Sequence, residues 1–161
     1  MKTERALIPD EYFQALEKIT AGLKDEAVIW VVTGSVGMAL QGMPLEVHDI
    51  DLQTDRDGAY IIERALVNFS VQPVRFVESE RIQSLLGMLI IDGIKVEIMG
   101  GIQKRLENLE WEQPVQVETY RVWLDVNGMR VPVMSLEYEY QAYFKLGRTQ
   151  KAEMIRDWLR K

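Results

Sequence analysis

The chain has 161 residues, 47% of them hydrophobic and 27% charged, with no cysteine, one histidine and a formal net charge of −6. The missing cysteines exclude disulfides, thiolate metal sites and cysteine nucleophiles, and a single histidine excludes multi-histidine metal centres. The negative charge argues against a long nucleic acid as the main partner, because binding to a phosphate backbone needs clustered Lys and Arg.

The length favours a single domain, residues 1–161, with a hydrophobic core of its own. The start, Met1 to Arg5, is charged and lacks the apolar core of a signal peptide, and no apolar run reaches the length of a membrane span. We therefore expect a cytoplasmic protein that has no membrane partner.

The first elements predicted along the chain are a helix, a buried strand and a short helix. Apolar residues at helical spacing indicate a helix over residues 10–24. The continuous apolar run 28–32 is typical of a strand covered on both faces. Thr33-Gly34-Ser35 ends that strand and begins a short helix over 36–41.

Residues 48–54 alternate strictly between polar and apolar types. This pattern predicts a strand with one acidic face, because Asp49, Asp51 and Gln53 point the same way. A helix follows the polar turn at 55–58, with its apolar stripe at positions 62, 65, 66 and 69. Residues 73–77 are then expected to form a short strand.

Two turn dipeptides organise the next part of the chain. The apolar runs 85–91 and 94–99 flank Asp92-Gly93, which favours a two-residue type I′ turn and predicts a hairpin that Gly100-Gly101 ends. A short helix is expected over 102–109. Residues 115–133 predict two strands around a second tight turn at Asn127-Gly128.

The C-terminal part, about residues 135–161, is predicted to be helical. Ser135 caps a helix that Gly147 ends, and Thr149 begins a last helix. The buried stripe expected for the first of these helices consists of Leu136, Tyr140, Tyr143 and Phe144. The elements together predict an α+β domain, in which helices pack on a mixed β-sheet and the C-terminal part is helical.

The acidic strand carries the first candidate site. Residues i and i+2 of a strand lie about 6–7 Å apart on one face, so the carboxylates of Asp49 and Asp51 can converge on one or two ions. Magnesium prefers such hard oxygen ligands and completes its shell with phosphates and waters. The alternative is a solvated outward face of the sheet, on which acidic residues are common.

Two further features bear on that choice. Gly34-Ser35 lies between a buried strand and a helix, where backbone N–H groups favour a phosphate, although Gly-Ser is also an ordinary turn. Glu97 lies in the otherwise apolar run 94–99, on one face with Lys95. It is readily explained if its strand lies beside Asp51, and is otherwise merely exposed to solvent.

The combination of these residues resembles a known signature. Gly34-Ser35, thirteen further residues, the strand motif Asp49-Ile50-Asp51-Leu52 and a later Glu97 are similar to the signature of the nucleotidyltransferase superfamily. The resemblance covers a core of about residues 28–99. The helical end, 135–152, is also similar to that of small antibiotic-type and uncharacterised nucleotidyltransferases.

This resemblance implies a polymerase-beta-like fold, with Asp49 and Asp51 as ligands of magnesium. It further implies that Glu97 completes the metal site or deprotonates the acceptor, and that Gly34 and Ser35 touch the triphosphate. Two Mg²⁺ ions, or Mn²⁺ as an alternative, would then clamp the attacking hydroxyl and the leaving pyrophosphate during in-line displacement.

Basic residues near the C-terminal helices are candidates for the remaining phosphate contacts. Lys145, Arg148 and Lys151 cluster where one helix ends and another begins, although cations at that place also complement the helix dipole without any ligand. His48 adjoins the first aspartate and could orient it, but a single histidine before a strand is more often a surface residue.

Two functions remain open at this stage. The first is an enzyme that transfers a nucleoside monophosphate from a nucleoside triphosphate to a hydroxyl of a small molecule or a protein. The second is a non-catalytic module that binds a nucleotide or a helical partner protein, as in toxin–antitoxin systems. The three acids favour the enzyme. Because the chain is short, only its C-terminal helices or a second subunit of a homodimer can complete an acceptor pocket.

Overall fold

The computed structural model describes residues 8–161. The helices are α1 (Asp10–Leu23), α2 (Gly34–Leu40), α3 (Arg56–Ala65), α4 (Val117–Tyr120), α5 (Leu136–Lys145) and α6 (Thr149–Leu159). The strands are β1 (Trp30–Thr33), β2 (Ile50–Thr54), β3 (Ser70–Glu78), β4 (Ile82–Ile91), β5 (Ile94–Lys104), β6 (Arg121–Val126) and β7 (Met129–Met134). The charged start, Met1 to Arg5, lies outside the described residues.

All seven strands form one mixed sheet, in the order β3-β4-β5-β2-β1-β7-β6. Strand β2 runs parallel to β5 and β1 runs parallel to β7, whereas the other neighbours are antiparallel. Helices pack on this sheet, which confirms the predicted α+β class. Within residues 8–161, no helix combines the length and apolar character needed to cross a membrane.

The two faces of the sheet are covered by different helices. The larger core joins one face, through Val32, Ile50 and Leu52, to Leu16 of α1 and Ile62 of α3. A smaller cluster covers the other face and contains Val31, Val117, Met134 and Tyr138. Strand β1 is therefore buried along its whole length, as its continuous apolar run predicts. A fully buried aliphatic side chain in such a core contributes about 1.5–3 kcal/mol to stability.

Both predicted tight turns are confirmed. Asp92 and Gly93 have φ values of 52° and 82°, and Asn127 and Gly128 have φ values of 48° and 83°. Positive φ at both central residues is the requirement of a type I′ turn, whose twist matches that of the flanking strands. The first turn joins β4 to β5 and the second joins β6 to β7.

The helix predicted over residues 102–109 is wrong. Strand β5 continues to Lys104, because Gln103 and Lys104 pair with Gln83 and Ile82 of β4. The Gly100-Gly101 pair does not end the strand either. The register between β4 and β5 shifts beside it, and Gly101 has a φ of 65°. These features describe a β-bulge, which glycine permits and through which the ladder continues.

Other predicted element boundaries differ from those in the structure, but the predicted architecture is unchanged. The helix α3 ends at Ala65, and Phe69 belongs to a separate 3-10 turn, Val67–Phe69. The strand expected over 73–77 is the longer β3, which lies at the edge of the sheet. Pro73 lies where the register between β3 and β4 shifts, a place at which a strand tolerates proline. Residues 117–120, which lie within the range 115–133 predicted to form two strands, form the short helix α4, and the two strands are β6 and β7.

Candidate active site

The pairing of β2 with β5 brings the predicted acids to one place. Asp51 lies directly opposite Glu97 in the parallel register and opposite Thr33 in the antiparallel register with β1. Residues paired in this way have side chains on the same face of the sheet. Asp49 comes immediately before β2. The acids are therefore neighbours on one face, the arrangement in which an acid at position 97 is readily explained.

The ammonium group of Lys95 lies between two of these acids. Its Nζ is 3.0 Å from Oε1 of Glu97 and 3.6 Å from Oδ2 of Asp49. The hydrogen bond and charge of Glu97, followed by the charge of Asp49, raise the pKa of Lys95. Its side chain is 41% exposed, so the ammonium group can leave toward solvent when another cation enters.

The carboxylate of Asp51 has a strongly raised pKa. Burial is the largest cause, and together with the charges of Glu97, Asp49 and Glu139 it raises the pKa of Asp51 to about 7, whereas Lys95 lowers it. Burial and like charges both disfavour the ionised carboxylate. A cation bound beside Asp51 would therefore stabilise its ionised form.

This charge pattern fits a divalent metal held together with a substrate. Among residues 8–161, no three Asp, Glu or His side chains are arranged to hold a metal ion by themselves. Magnesium usually takes only one or two protein carboxylates and completes its octahedron with phosphate oxygens and water. The adjacent Asp51 and Glu97, with Asp49 beside them, supply that smaller set.

Gly34 is packed tightly against the carboxylate of Asp51. It has a φ of 72°, and a Cβ at this position would be only 2.5 Å from Oδ2 of Asp51. Only glycine fits both the backbone conformation and the space. The next residue, Ser35, accepts a hydrogen bond through Oγ from the backbone N–H of His48 at 2.9 Å, which leaves the serine O–H to donate elsewhere.

A buried acid on α5, Glu139, completes the surroundings of this turn. Its side chain accepts hydrogen bonds from Oγ1 of Thr33 and from the backbone N–H of Gly34, the latter at 2.9 Å. The Gly34 N–H is therefore occupied in this arrangement. Burial raises the pKa of Glu139 to about 7, against the lowering effects of these two donors and of Lys151 and Lys104.

The sequence interpretation missed Glu139 because the stripe it predicted for α5 left out Tyr138 and Glu139. Of the residues in that stripe, Leu136 is buried, and Tyr140 and Tyr143 pack against the same buried cluster. The buried residues of α5 are Leu136, Tyr138 and Glu139, whereas Phe144 is 59% exposed. The available signal was the spacing, since Glu139 lies three residues after Leu136 on the same helix face. An acid within an apolar stripe marks a specific partner more often than a solvated position.

A groove of about 180 Å³ runs from Asp51 between the sheet and α5. Its polar lining residues are Thr33, Asp51, Gln53, Lys104, Tyr138, Glu139, Tyr143 and Arg148. Lys104 was not recognised as a site residue because it falls within the wrongly predicted helix over 102–109, and it is 4% exposed. Its Nζ donates to the hydroxyl of Tyr138 at 2.8 Å and to Glu112 at 3.0 Å.

The structure separates Lys145 from the other two basic residues predicted to face the triphosphate. Arg148 lines the groove, and its guanidinium lies 5.6 Å from the ring centre of Tyr143, over which Nζ of Lys151 also lies, at 5.5 Å. Lys145 is not among the lining residues, and its Nζ is 3.6 Å from Glu112. Of the three predicted phosphate contacts, Arg148 alone lines the groove that contains Asp51.

A larger groove of about 490 Å³ lies elsewhere, between α1 and the β6–β7 hairpin. It contains none of the predicted acids and none of the residues around Gly34. The candidate active site is therefore assigned to the smaller groove, because that groove contains the carboxylate of Asp51 and the turn at Gly34.

Comparison with known proteins agrees with this geometry. The family model of aminoglycoside-2''-adenylyltransferases matches residues 15–157. A crystal structure of a provisionally assigned nucleotidyltransferase from Thermotoga maritima is 58% identical, with 95% of each chain covered and a TM-score of 0.85.

A crystal structure of the lincosamide antibiotic adenylyltransferase LnuA with lincomycin bound is 13% identical, covers 81% of this chain and 82% of its own, and has a TM-score of 0.48. That likeness is too weak to support the assignment. No curated protein matches the chain at a significant level. The family model and the Thermotoga structure show that this chain belongs to the aminoglycoside-2''-adenylyltransferase family and is an enzyme of the nucleotidyltransferase type.

Proposed function

We propose that this enzyme uses magnesium to transfer a nucleoside monophosphate from a nucleoside triphosphate to a hydroxyl of a small molecule. The observation that carries the proposal is the direct pairing of Asp51 with Glu97, with the Gly34 turn packed against the Asp51 carboxylate. The adenylyltransferase name of the family supports ATP as the donor. It also supports a small molecule, rather than a protein, as the acceptor.

In this proposal Asp49 and Asp51 hold the metal, and Glu97 either completes the ligand set or accepts the proton of the attacking hydroxyl. When bound, magnesium neutralises the charge that develops on the phosphates and on the leaving pyrophosphate. The carboxylates position the metal in advance, which is the main catalytic contribution expected of a protein in phosphoryl chemistry.

The remaining residues hold the triphosphate and shape the acceptor side. The O–H of Ser35 can donate to a phosphate oxygen, and Arg148 adds a cation from the groove wall. The groove between the sheet and α5 offers apolar surface from Met99 and Ile102 beside polar groups. This combination is typical of a small-molecule site.

Binding of ATP should require magnesium. The acids that surround Asp51 repel a bare triphosphate, so the metal has to enter first or together with it. Calorimetry with ATP should show binding in magnesium and none in chelator. Mass spectrometry of reactions with a panel of hydroxyl-bearing antibiotics and sugars should show a nucleotidylated product. Equal binding with and without chelator would contradict the metal assignment. If no triphosphate binds at all, the proposed reaction is overturned.

Replacing Arg148 with Ala should weaken the binding of magnesium and ATP about ten-fold, the loss expected when one charge-assisted contact to a phosphate disappears. Lys145→Ala is the matched control, because it removes a cation only three residues away that does not line the groove. Calorimetry on both variants checks this. Equal losses in the two variants would mean that long-range charge, and not the groove contact, decides affinity.

A further inference from the structure

We propose that Glu139 is a positioning residue, which fixes the Thr33–Gly34 turn against Asp51 and so couples the C-terminal helices to the catalytic end of the sheet. The role rests on the proposed function, since the geometry it maintains is that of the nucleotide site. Glu139 also lines the groove, but both of its oxygens are engaged by Thr33 and Gly34, so the role proposed for it is to hold this turn and not to bind the metal.

The contacts of Glu139 support this role. Its side chain is 4% exposed, and its two oxygens bind two consecutive residues, through Oγ1 of Thr33 and the N–H of Gly34. Both partners lie more than a hundred positions earlier in the chain, at separations of 106 and 105 residues. A carboxylate that accepts two hydrogen bonds from adjacent residues holds their backbone in one orientation.

The turn that Glu139 holds is also the turn that confines Asp51. Thr33 is the direct antiparallel partner of Asp51, and the Asp51 carboxylate occupies the space where a side chain at position 34 would lie. Any displacement of Gly34 therefore changes the packing contact that confines the Asp51 carboxylate, and it also displaces Ser35. Displacements of about 1 Å in catalytic groups reduce rates by as much as about 100-fold.

The chemistry of the two partners allows a decisive pair of variants. A glutamine at position 139 can still accept from the Gly34 N–H with its oxygen, and its amide can donate to Thr33, because a hydroxyl group both donates and accepts. Glu139→Gln thus keeps both contacts without the charge, whereas Glu139→Ala removes both. A positioning role predicts that glutamine rescues the function, while a metal ligand or proton acceptor does not tolerate that change.

The test measures magnesium-dependent binding of a non-hydrolysable ATP analogue by calorimetry. We expect Glu139→Ala to raise the Kd about ten-fold or more, and Glu139→Gln to stay within about three-fold of the parent, as the loss or retention of hydrogen bonds predicts. Glu137→Ala is the matched control, because Glu137 is exposed on the same helix. The backbone amide resonances of Gly34 and Ser35 should shift in Glu139→Ala and remain in place in Glu137→Ala.

Each outcome bears on the role. A folded Glu139→Ala variant that binds like the parent overturns it, and so does a Glu139→Gln variant that loses as much as Glu139→Ala. If Glu139→Ala does not fold, Thr33→Val removes one of the two contacts at nearly constant shape, and it should give a smaller rise in Kd with a shifted Gly34 amide. A parent that binds no nucleotide overturns the proposed function and this role with it, whereas failure of the variants alone overturns only the role.

Discussion

Replacing Asp51 with Asn should abolish nucleotidyl transfer and, in the absence of metal, make the folded protein more stable. The loss of activity should be about 100-fold to 1,000-fold or greater, the cost of removing one preorganised electrostatic group from a reaction centre. The gain in stability should be about 0.5–2 kcal/mol, because the variant removes a charge that burial and neighbouring carboxylates disfavour.

The pH dependence of this gain has a definite sign. The folded state raises the pKa of Asp51 from 3.8 to about 7, so between these values the folded protein binds a proton that the unfolded chain has released. The stabilisation from that proton is fully present below pH 3.8 and is lost as the pH rises through about 7. The difference between parent and variant should therefore grow from pH 5 to pH 8.

Thermal unfolding in chelator and in magnesium with ATP measures both effects. Ligand binding stabilises the parent by mass action, by about 2.7 kcal/mol at a ligand concentration of 100 times Kd, and so raises its melting temperature. The melting temperature of Asp51→Asn should hardly change on addition of magnesium and ATP. Asp25→Asn serves as the control, because Asp25 is an exposed acid after α1. The charge of Glu139, whose own pKa is raised to about 7 by burial, also raises the pKa of Asp51, so the difference between parent and variant reports Asp51 together with its coupling to Glu139. Indistinguishable curves for parent and Asp51→Asn would end the metal-site assignment.

Gly34→Ala should cost more stability than Gly93→Ala and should also remove nucleotide binding. Both glycines have positive φ, 72° and 82° respectively. Such a conformation costs an L-residue about 1–2 kcal/mol. At Gly93 no atom lies within 4 Å of the new methyl group, whereas at Gly34 Oδ2 of Asp51 lies 2.5 Å from it.

The two substitutions therefore share the backbone strain and differ in the contact with Asp51. We expect Gly93→Ala to lose about 1 kcal/mol and to bind magnesium and ATP normally, because its cost is conformational only. Gly34→Ala should lose about 2–4 kcal/mol, since the methyl group must displace a buried carboxylate. Urea unfolding and calorimetry measure the two quantities. Equal stability and equal binding in both variants would show that the Gly34 turn does not confine Asp51.

Local chemistry in the sequence determined much of this protein. Asp92-Gly93 and Asn127-Gly128 form the predicted turns, because few residues adopt positive φ at low cost. The continuous apolar run 28–32 predicted a central buried strand, and the alternation over 48–54 placed Asp49 and Asp51 on one face. These properties depend on neighbours within a few residues, and for that reason they can be read without the tertiary structure.

Tertiary structure alone decided how distant residues meet. The parallel register that places Asp51 beside Glu97 arises from the order of the strands, and no local pattern specifies it. The same holds for the extension of β5, because pairing with β4 keeps residues 102–104 in the strand where a helix was predicted. The roles of Glu139 and Arg148 depended on where α5 and the following turn pack. Packing brings Arg148 to the groove and leaves Lys145 at Glu112, although both are cations near the same helix end.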